Sequence, residues 1–381
     1  MDPQWRTIIG LSITALFMAL LSGCLVQRPI QVGFSGELTG RNADLGVQGR
    51  NGAQLAVERI NAEGGIAGQP LELLVRDDLG TPEGAQTADR KLIDADVVAI
   101  IGHMTSGQSM AGVAVTNEAG IVLLSPTTST PALSGRKDFF FRVNPVNALA
   151  AHTMADHIYR TRGLARVAVI CDDDNASYTL VYLDAFVGAY ETLGGQITGK
   201  AHFSSAQKPD FRPLVDQLQH DQPEALLIIT SDVDAALIAQ QARLAEWDVP
   251  LFAAGWAQTD ALPQNGGTAV EAMDLVINYD LNNETPALRA FQRRYRERFG
   301  RESSFAAAQS YEAMLLLAAS LEKTDGGAET LPQALVTTEI EGLIGPLSLD
   351  AYGDVVRPQF LVTVQDGAFV TQQPLKPRND P

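Results

Sequence analysis

Val97-Val98-Ala99-Ile100-Ile101-Gly102-His103-Met104-Thr105-Ser106 decides the fold, read with the helical stretch to Glu118 and the next run, Ile121-Val122-Leu123-Leu124-Ser125-Pro126-Thr127-Thr128-Ser129-Thr130-Pro131. Both apolar runs are short and rich in branched residues, and small or turn-forming residues close them. That is how a strand buried on both faces reads. A strand, a helix and a strand in this order form one unit of a parallel sheet. Upstream the same alternation runs through a strand at 30–34, a helix at 45–60 with Leu55, Ala56 and Ile60 at helical spacing, a strand at 71–75 and a helix at 83–93. Gly64-Gly65 breaks the first of these helices. Residues 30–124 therefore predict a parallel sheet with helices on both faces.

Downstream the pattern restarts. A strand at 139–143 leaves the first domain. Helices at 148–160, 178–193, 211–219 and 235–244 then alternate with strands at 166–171, 196–203, 225–229 and 251–254. The tail offers a strand at 274–279, an arginine-rich helix at 286–299, an apolar helix at 305–321, a short helix at 331–337 and a hairpin at 360–364 and 368–371. These pieces read as completing both sheets, with chain crossings near Val146, Tyr279 and Gly353. The expected architecture is two flavodoxin-like, doubly wound α/β domains joined by three hinge crossovers. One lobe takes 24–146 plus 280–352, the other 147–279 plus 353–381. Such crossovers make a hinge, and a hinge makes a cleft that can close.

The first residues stand apart. Arg6 precedes an apolar run over 8–21, which ends in Leu21-Ser22-Gly23-Cys24. This is a signal peptide over 1–23 with a lipobox, so Cys24 is expected to be diacylated and to anchor the mature chain to a membrane. Of the two cysteines, Cys171 is then unpaired and closes an apolar run, which predicts a buried free thiol. An exported chain without a disulfide needs a core large enough to stand alone. The net charge of −17 excludes a nucleic-acid partner.

No catalytic constellation stands out. His152 and His157 are five apart, which is not metal spacing on a helix, and Asp172-Asp173-Asp174 reads as a solvated loop. Walker, GxGxxG and GxSxG motifs are absent. Neither an enzyme nor a cofactor or metal is expected. Ligands of open parallel sheets bind beyond the carboxyl ends of the strands. Two such loops carry hydroxyls, with Thr105 and Ser106 in one and Thr127, Thr128 and Ser129 in the other. Ser106 also opens a helix, whose free N–H groups favour a carboxylate. In the second domain Tyr178 and Trp256 occupy corresponding loops and can close over a ligand as aromatic lids.

From Ile30 to Val370 the chain resembles the type I periplasmic solute-binding proteins of the leucine/isoleucine/valine-binding family. The carrying segments are Gly36-Glu37-Leu38-Thr39-Gly40, Asn61-Ala62-Glu63-Gly64-Gly65-Ile66-Ala67-Gly68, Asp77-Asp78, Ile101-Gly102-His103, Ser125-Pro126 with Pro131, and Gly345-Pro346-Leu347. The resemblance implies that Ser106, Thr127 and Ser129 hold the ligand carboxylate and that Tyr178 is the family tyrosine of the second domain. It also implies a periplasmic or cell-surface location and ABC transporter permease subunits as partners. Two departures stand out. Where the branched-chain amino-acid binders place an acidic residue for the ligand ammonium, this chain has Gly255-Trp256-Ala257-Gln258, with Asp260 following, and Leu45 replaces a first-domain tyrosine. Asp260 or the 172–174 loop could substitute for that acid. The expected function is capture of an amino acid or related small carboxylate for an ABC importer; the alternative is a sensing subunit that signals.

Overall fold

A computed structural model of the chain describes residues 28–280 and 282–375. The leader at 1–23 and the lipidation site Cys24 lie outside the described residues.

The first sheet arises from β1 (Ile30–Gly36), α1 (Ala43–Ala62), β2 (Leu71–Asp77), α2 (Pro82–Ile93), β3 (Ala99–Ile101), α3 (Ser106–Ala119), β4 (Val122–Ser125) and β5 (Phe140–Arg142). Its strands lie in the order β2-β1-β3-β4-β5, and every pair is parallel. Every residue of β3 and β4 is buried, which is why both read as unbroken apolar runs. Val32, Phe34, Ala99 and Ile101 feed a core on one face, and Ile100, Leu123 and Phe140 one on the other.

The second unit repeats the plan with α4 (Asn147–Asp156), β6 (Arg166–Asp172), α5 (Ala176–Thr192), β7 (Gln196–Phe203), α6 (Arg212–Gln219), β8 (Ala225–Ile229), α7 (Asp232–Leu244), β9 (Leu251–Ala254), α8 (Ala261–Gly266) and β10 (Asp274–Ile277). Strands β7-β6-β8-β9-β10 are parallel in the same relative order as the first sheet. That is the flavodoxin-like winding, used twice. The helix expected over 148–160 does not run through. It ends at Asp156 and widens into a π-turn over His157–Thr161, where His157 Nε2 lies 2.9 Å from Asp274 Oδ2. Cys171 is a buried free thiol, and burial pushes it up to about 12.

The tail supplies α9 (Pro286–Phe299), α10 (Phe305–Glu322), α11 (Leu331–Val336), β11 (Glu339–Glu341), β12 (Pro346–Ser348), β13 (Gln359–Gln365) and β14 (Ala368–Leu375). The expectation that it completes both sheets is corrected for the first. Among the described residues no tail strand joins that sheet, and β11 and β12 pair with each other. Its missing layer is α10, buried on nearly every face and packed with Val32, Phe34 and Ile101 in one core. The second sheet does gain β13 and β14, both antiparallel. The chain thus passes between two lobes three times, after β5, after β10 and after β12. No helix among the described residues is long and apolar enough to cross a membrane.

Candidate ligand-binding site

The carboxyl ends of both sheets face one cavity of about 620 Å³, its open mouth included. From the first lobe come Leu45, Met104, Thr105, Ser106, Thr127 and Ser129, and α10 adds Phe305 and Gln309. From the second come Tyr178, Trp256, Gln258, Ile277 and others, and the crossings add Asn144, Asn147, Asn278 and Tyr279. Among the described residues, none that lines the cavity carries a charge.

The hydroxyl wall is held from behind. His103 is fully buried, with Nδ1 2.8 Å from Asp78 Oδ2 and Nε2 3.0 Å from Asp89 Oδ2. Burial works to lower its pKa, but Asp89 and Asp78 outweigh it and push His103 up to about 10. Both ring nitrogens therefore donate at neutral pH. The His103 carbonyl accepts from Ser125 Oγ at 2.8 Å, and the Met104 carbonyl accepts from Thr127 Oγ1. Ser106 Oγ accepts from the Ser129 N–H at 3.4 Å, which leaves its own proton for the cavity. Thr105 Oγ1 and Ser129 Oγ are buried without a protein partner. Buried hydroxyls of this kind normally find one, so a ligand or water is the natural occupant.

The opposite wall is aromatic and rich in carboxamides. The Tyr178 and Trp256 rings meet edge to face at 5.7 Å, and the Trp256 backbone N–H donates to Tyr178 Oη at 3.3 Å. Burial raises the Tyr178 phenol above its ordinary value, so it stays neutral. Asn147 Nδ2 donates to the Tyr178 carbonyl at 2.9 Å, and Gln309 Nε2 to Asn144 Oδ1 at 3.2 Å. Asn147 Oδ1, Asn278 Oδ1, Gln309 Oε1 and Tyr279 Oη are buried without partners.

Of the residues singled out in the sequence, Thr105, Ser106, Thr127, Ser129, Tyr178 and Trp256 meet around the cavity, and so does Leu45. Two expectations are corrected. Thr128 does not line it: its Oγ1 turns into the loop, 2.5 Å from Ser109 Oγ and 3.2 Å from the Thr105 carbonyl. Asp260 stands at the start of α8, outside the lining, where burial raises its carboxyl against the opposing pull of Arg301. The acids at 172–174 also stay out of the cavity. Asp172 accepts from the Asp174 and Ser205 N–H groups, Asp173 pairs with His202, and Asp174 accepts from Ser205 Oγ. Sequence reasoning missed Asn144, Asn147, Asn278, Tyr279 and Gln309. The signal for Asn278 and Tyr279 was available, since they follow the carboxyl end of β10.

Comparison with known proteins agrees with the two-lobed fold. The family model "Periplasmic binding protein" matches residues 29–368. A Leu/Ile/Val-binding protein homolog of Brucella melitensis is 27% identical over 348 residues, covering 90% of this chain and 93% of that protein. The crystal structure of a leucine-binding protein from Thermotoga maritima superposes with a TM-score of 0.84 at 25% identity, over 91% of this chain and 99% of that one. An ABC transporter solute-binding protein of Rhodopseudomonas palustris, solved in complex with 3,4-dihydroxybenzoic acid, superposes with a TM-score of 0.83 at 21% identity, over 93% and 99% of the two chains.

Proposed function

The chain belongs to the periplasmic binding protein family, a binding protein and not an enzyme, and on that premise we propose that it captures a small carboxylic acid lacking an ammonium group for an ABC importer. It acts outside the cytoplasmic membrane as a lipoprotein held through Cys24. Its lobes take 24–146 with 280–352 and 147–279 with 353–381. The observation that carries the ligand is the cavity's uncharged lining with hydroxyls on one wall. Several neutral donors and a helix N-terminus can satisfy a carboxylate. Thr105, Ser106 and Ser129 stand at the start of α3 or beside it. A buried ammonium among neutral groups has no counter-charge and is costly to desolvate. Leu45, Met104, Trp256, Tyr279 and Phe305 suit an aromatic body. The unpartnered oxygens of Asn147, Asn278 and Gln309 invite a hydroxyl donor at its far end. The Rhodopseudomonas palustris complex supports the reading, since the same fold there holds a hydroxylated aromatic acid.

Thermal shift and calorimetry with 4-hydroxybenzoate, 4-hydroxybenzamide, 4-methylpentanoate and leucine test this. A ligand of the native state raises the melting temperature by mass action. The expected order is the hydroxylated acid first, with its amide weak and leucine bound at least about tenfold less tightly than 4-methylpentanoate. Ser129→Ala should weaken the acid by about tenfold or more, because hydrogen bonds to charged groups contribute about 1.5–3 kcal/mol. It should leave the ligand-free melting point unmoved. Leucine binding better than its deaminated analogue would overturn the ligand assignment. Cys24→Ala should move the protein from the membrane to the soluble fraction, and a variant that stays with the membrane would overturn the anchor.

A further inference from the structure

An ion pair joins the two lips of the cleft. On the first lobe, the turn after β1 presents Arg41. Both ends of that turn are tied down. Asp77 accepts from the Leu38 N–H at 2.9 Å and from Thr39 Oγ1 at 2.6 Å, and Glu37 Oε1 accepts from the Asn42 N–H at 3.1 Å. Arg41 reaches across to Asp234 in the first turn of α7, on the second lobe. Its Nε donates to Asp234 Oδ2 at 3.2 Å and its Nη2 donates to Asp234 Oδ1. The Asp234 side chain is fully buried, whereas that of Arg41 is 25% exposed. Neither residue lines the cavity. A second bond crosses the cleft, from the Gly107 N–H to Asn175 Oδ1 at 3.1 Å.

We propose that Arg41 and Asp234 form a closure latch, an ion pair between the lobes that touches no ligand yet holds them shut and sets how long a captured solute stays. This deepens the reading of the cleft as the solute site and rests on it. Opening the lobes separates the pair and returns both groups to water. Closing them takes the Asp234 carboxylate out of water, which is favourable only while a guanidinium meets it. Two parallel N–H donors suit that carboxylate, as a lysine would not. Removing Arg41 leaves the closed state with a buried, unpaired carboxylate and leaves the open state nearly untouched. The population therefore moves toward the open form. A ligand that needs both walls is released faster, while its rate of entry changes little.

The test compares wild type, Arg41→Met, Asp234→Leu and the charge-exchanged double variant Arg41→Asp/Asp234→Arg. Ligand-free small-angle scattering reports opening. Stopped-flow tryptophan fluorescence with 4-hydroxybenzoate as probe reports release, through Trp256 in the cavity wall. We expect Arg41→Met to expand the ligand-free protein and to raise the release rate about tenfold or more. The double variant should recover most of both effects. Arg41→Met indistinguishable from wild type in scattering would overturn the latch, as would a double variant no better than the single ones. If the probe fails to bind wild type, the ligand assignment falls, while the scattering comparison still decides the latch.

Discussion

At the scale of single residues, the hydroxyl wall depends on a group that never reaches it. His103 sits between Asp78 and Asp89, and its carbonyl anchors Ser125 behind Thr105 and Ser106. Its pKa in the fold is about 10, above the value of about 6.5 expected in the unfolded chain. The native state thus holds a proton that the unfolded chain gives up. The resulting stability is full below pH about 6.5 and is lost as the pH rises through about 10. His103→Gln removes the cation and leaves two buried carboxylates facing each other. It should cost about 3–5 kcal/mol near neutral pH, the usual loss when one partner of a buried pair is deleted. Urea unfolding from pH about 7 to about 10 should show wild type losing stability that the variant does not lose. Parallel pH slopes in the two proteins would refute the charged histidine. The hydroxyls in front were legible from sequence because loops after parallel strands point at ligands. Which of Thr127, Thr128 and Ser129 turns inward was not legible. Each is a small hydroxyl, and only the backbone path sends Thr128 toward Ser109.

At the scale of elements, strands and helices were legible wherever one element had one environment. β3 and β4, buried throughout, read as apolar runs, and α2 follows the capping pattern of Thr81, whose side chain accepts from Gly84. The placement of α10 was not legible. Apolarity on every face says that a helix is covered, not by what. Its partner is α1, and the contact is set by Gly52. A Cβ there would lie 1.9 Å from the Ala307 carbonyl oxygen, a backbone atom that cannot step aside. Two effects compete in Gly52→Ala. Helix propensity favours alanine by about 1 kcal/mol, and overpacking a tight contact costs about 1–3 kcal/mol or more. The overlap should win, with a net loss in urea unfolding. Gly188 in α5 is the control, because a Cβ there meets nothing within 4 Å. Gly188→Ala should gain about 0.5–1 kcal/mol. If Gly52→Ala proves as stable as wild type, α1 and α10 are not in backbone contact.

At the scale of the whole molecule, each lobe is discontinuous in sequence, and this governs both cleft and folding. The three crossings let the lobes move about a common hinge. They also bring Asn144, Asn147, Asn278 and Tyr279 into the cavity wall. Asn144 belongs to the connection after β5 and Asn147 to the first turn of α4, positions that a reading of strand ends alone overlooks. The same arrangement makes the N-terminal segment dependent on residues far along the chain. One face of its sheet, through Val32, Phe34 and Ile101, is covered by Ala307, Met314 and Leu317 of α10. A fragment of residues 28–146 would leave that face in water, and each large side chain so exposed forfeits about 1.5–3 kcal/mol of burial. With net stabilities of only about 5–15 kcal/mol to draw on, the fragment should show no cooperative thermal transition by circular dichroism. Adding residues 280–352 as a separate chain should restore one, because α9, α10 and α11 then return to their places. A cooperative melt of 28–146 alone would mean that the first sheet does not need α10, and that the tail is an appendage rather than half of its core.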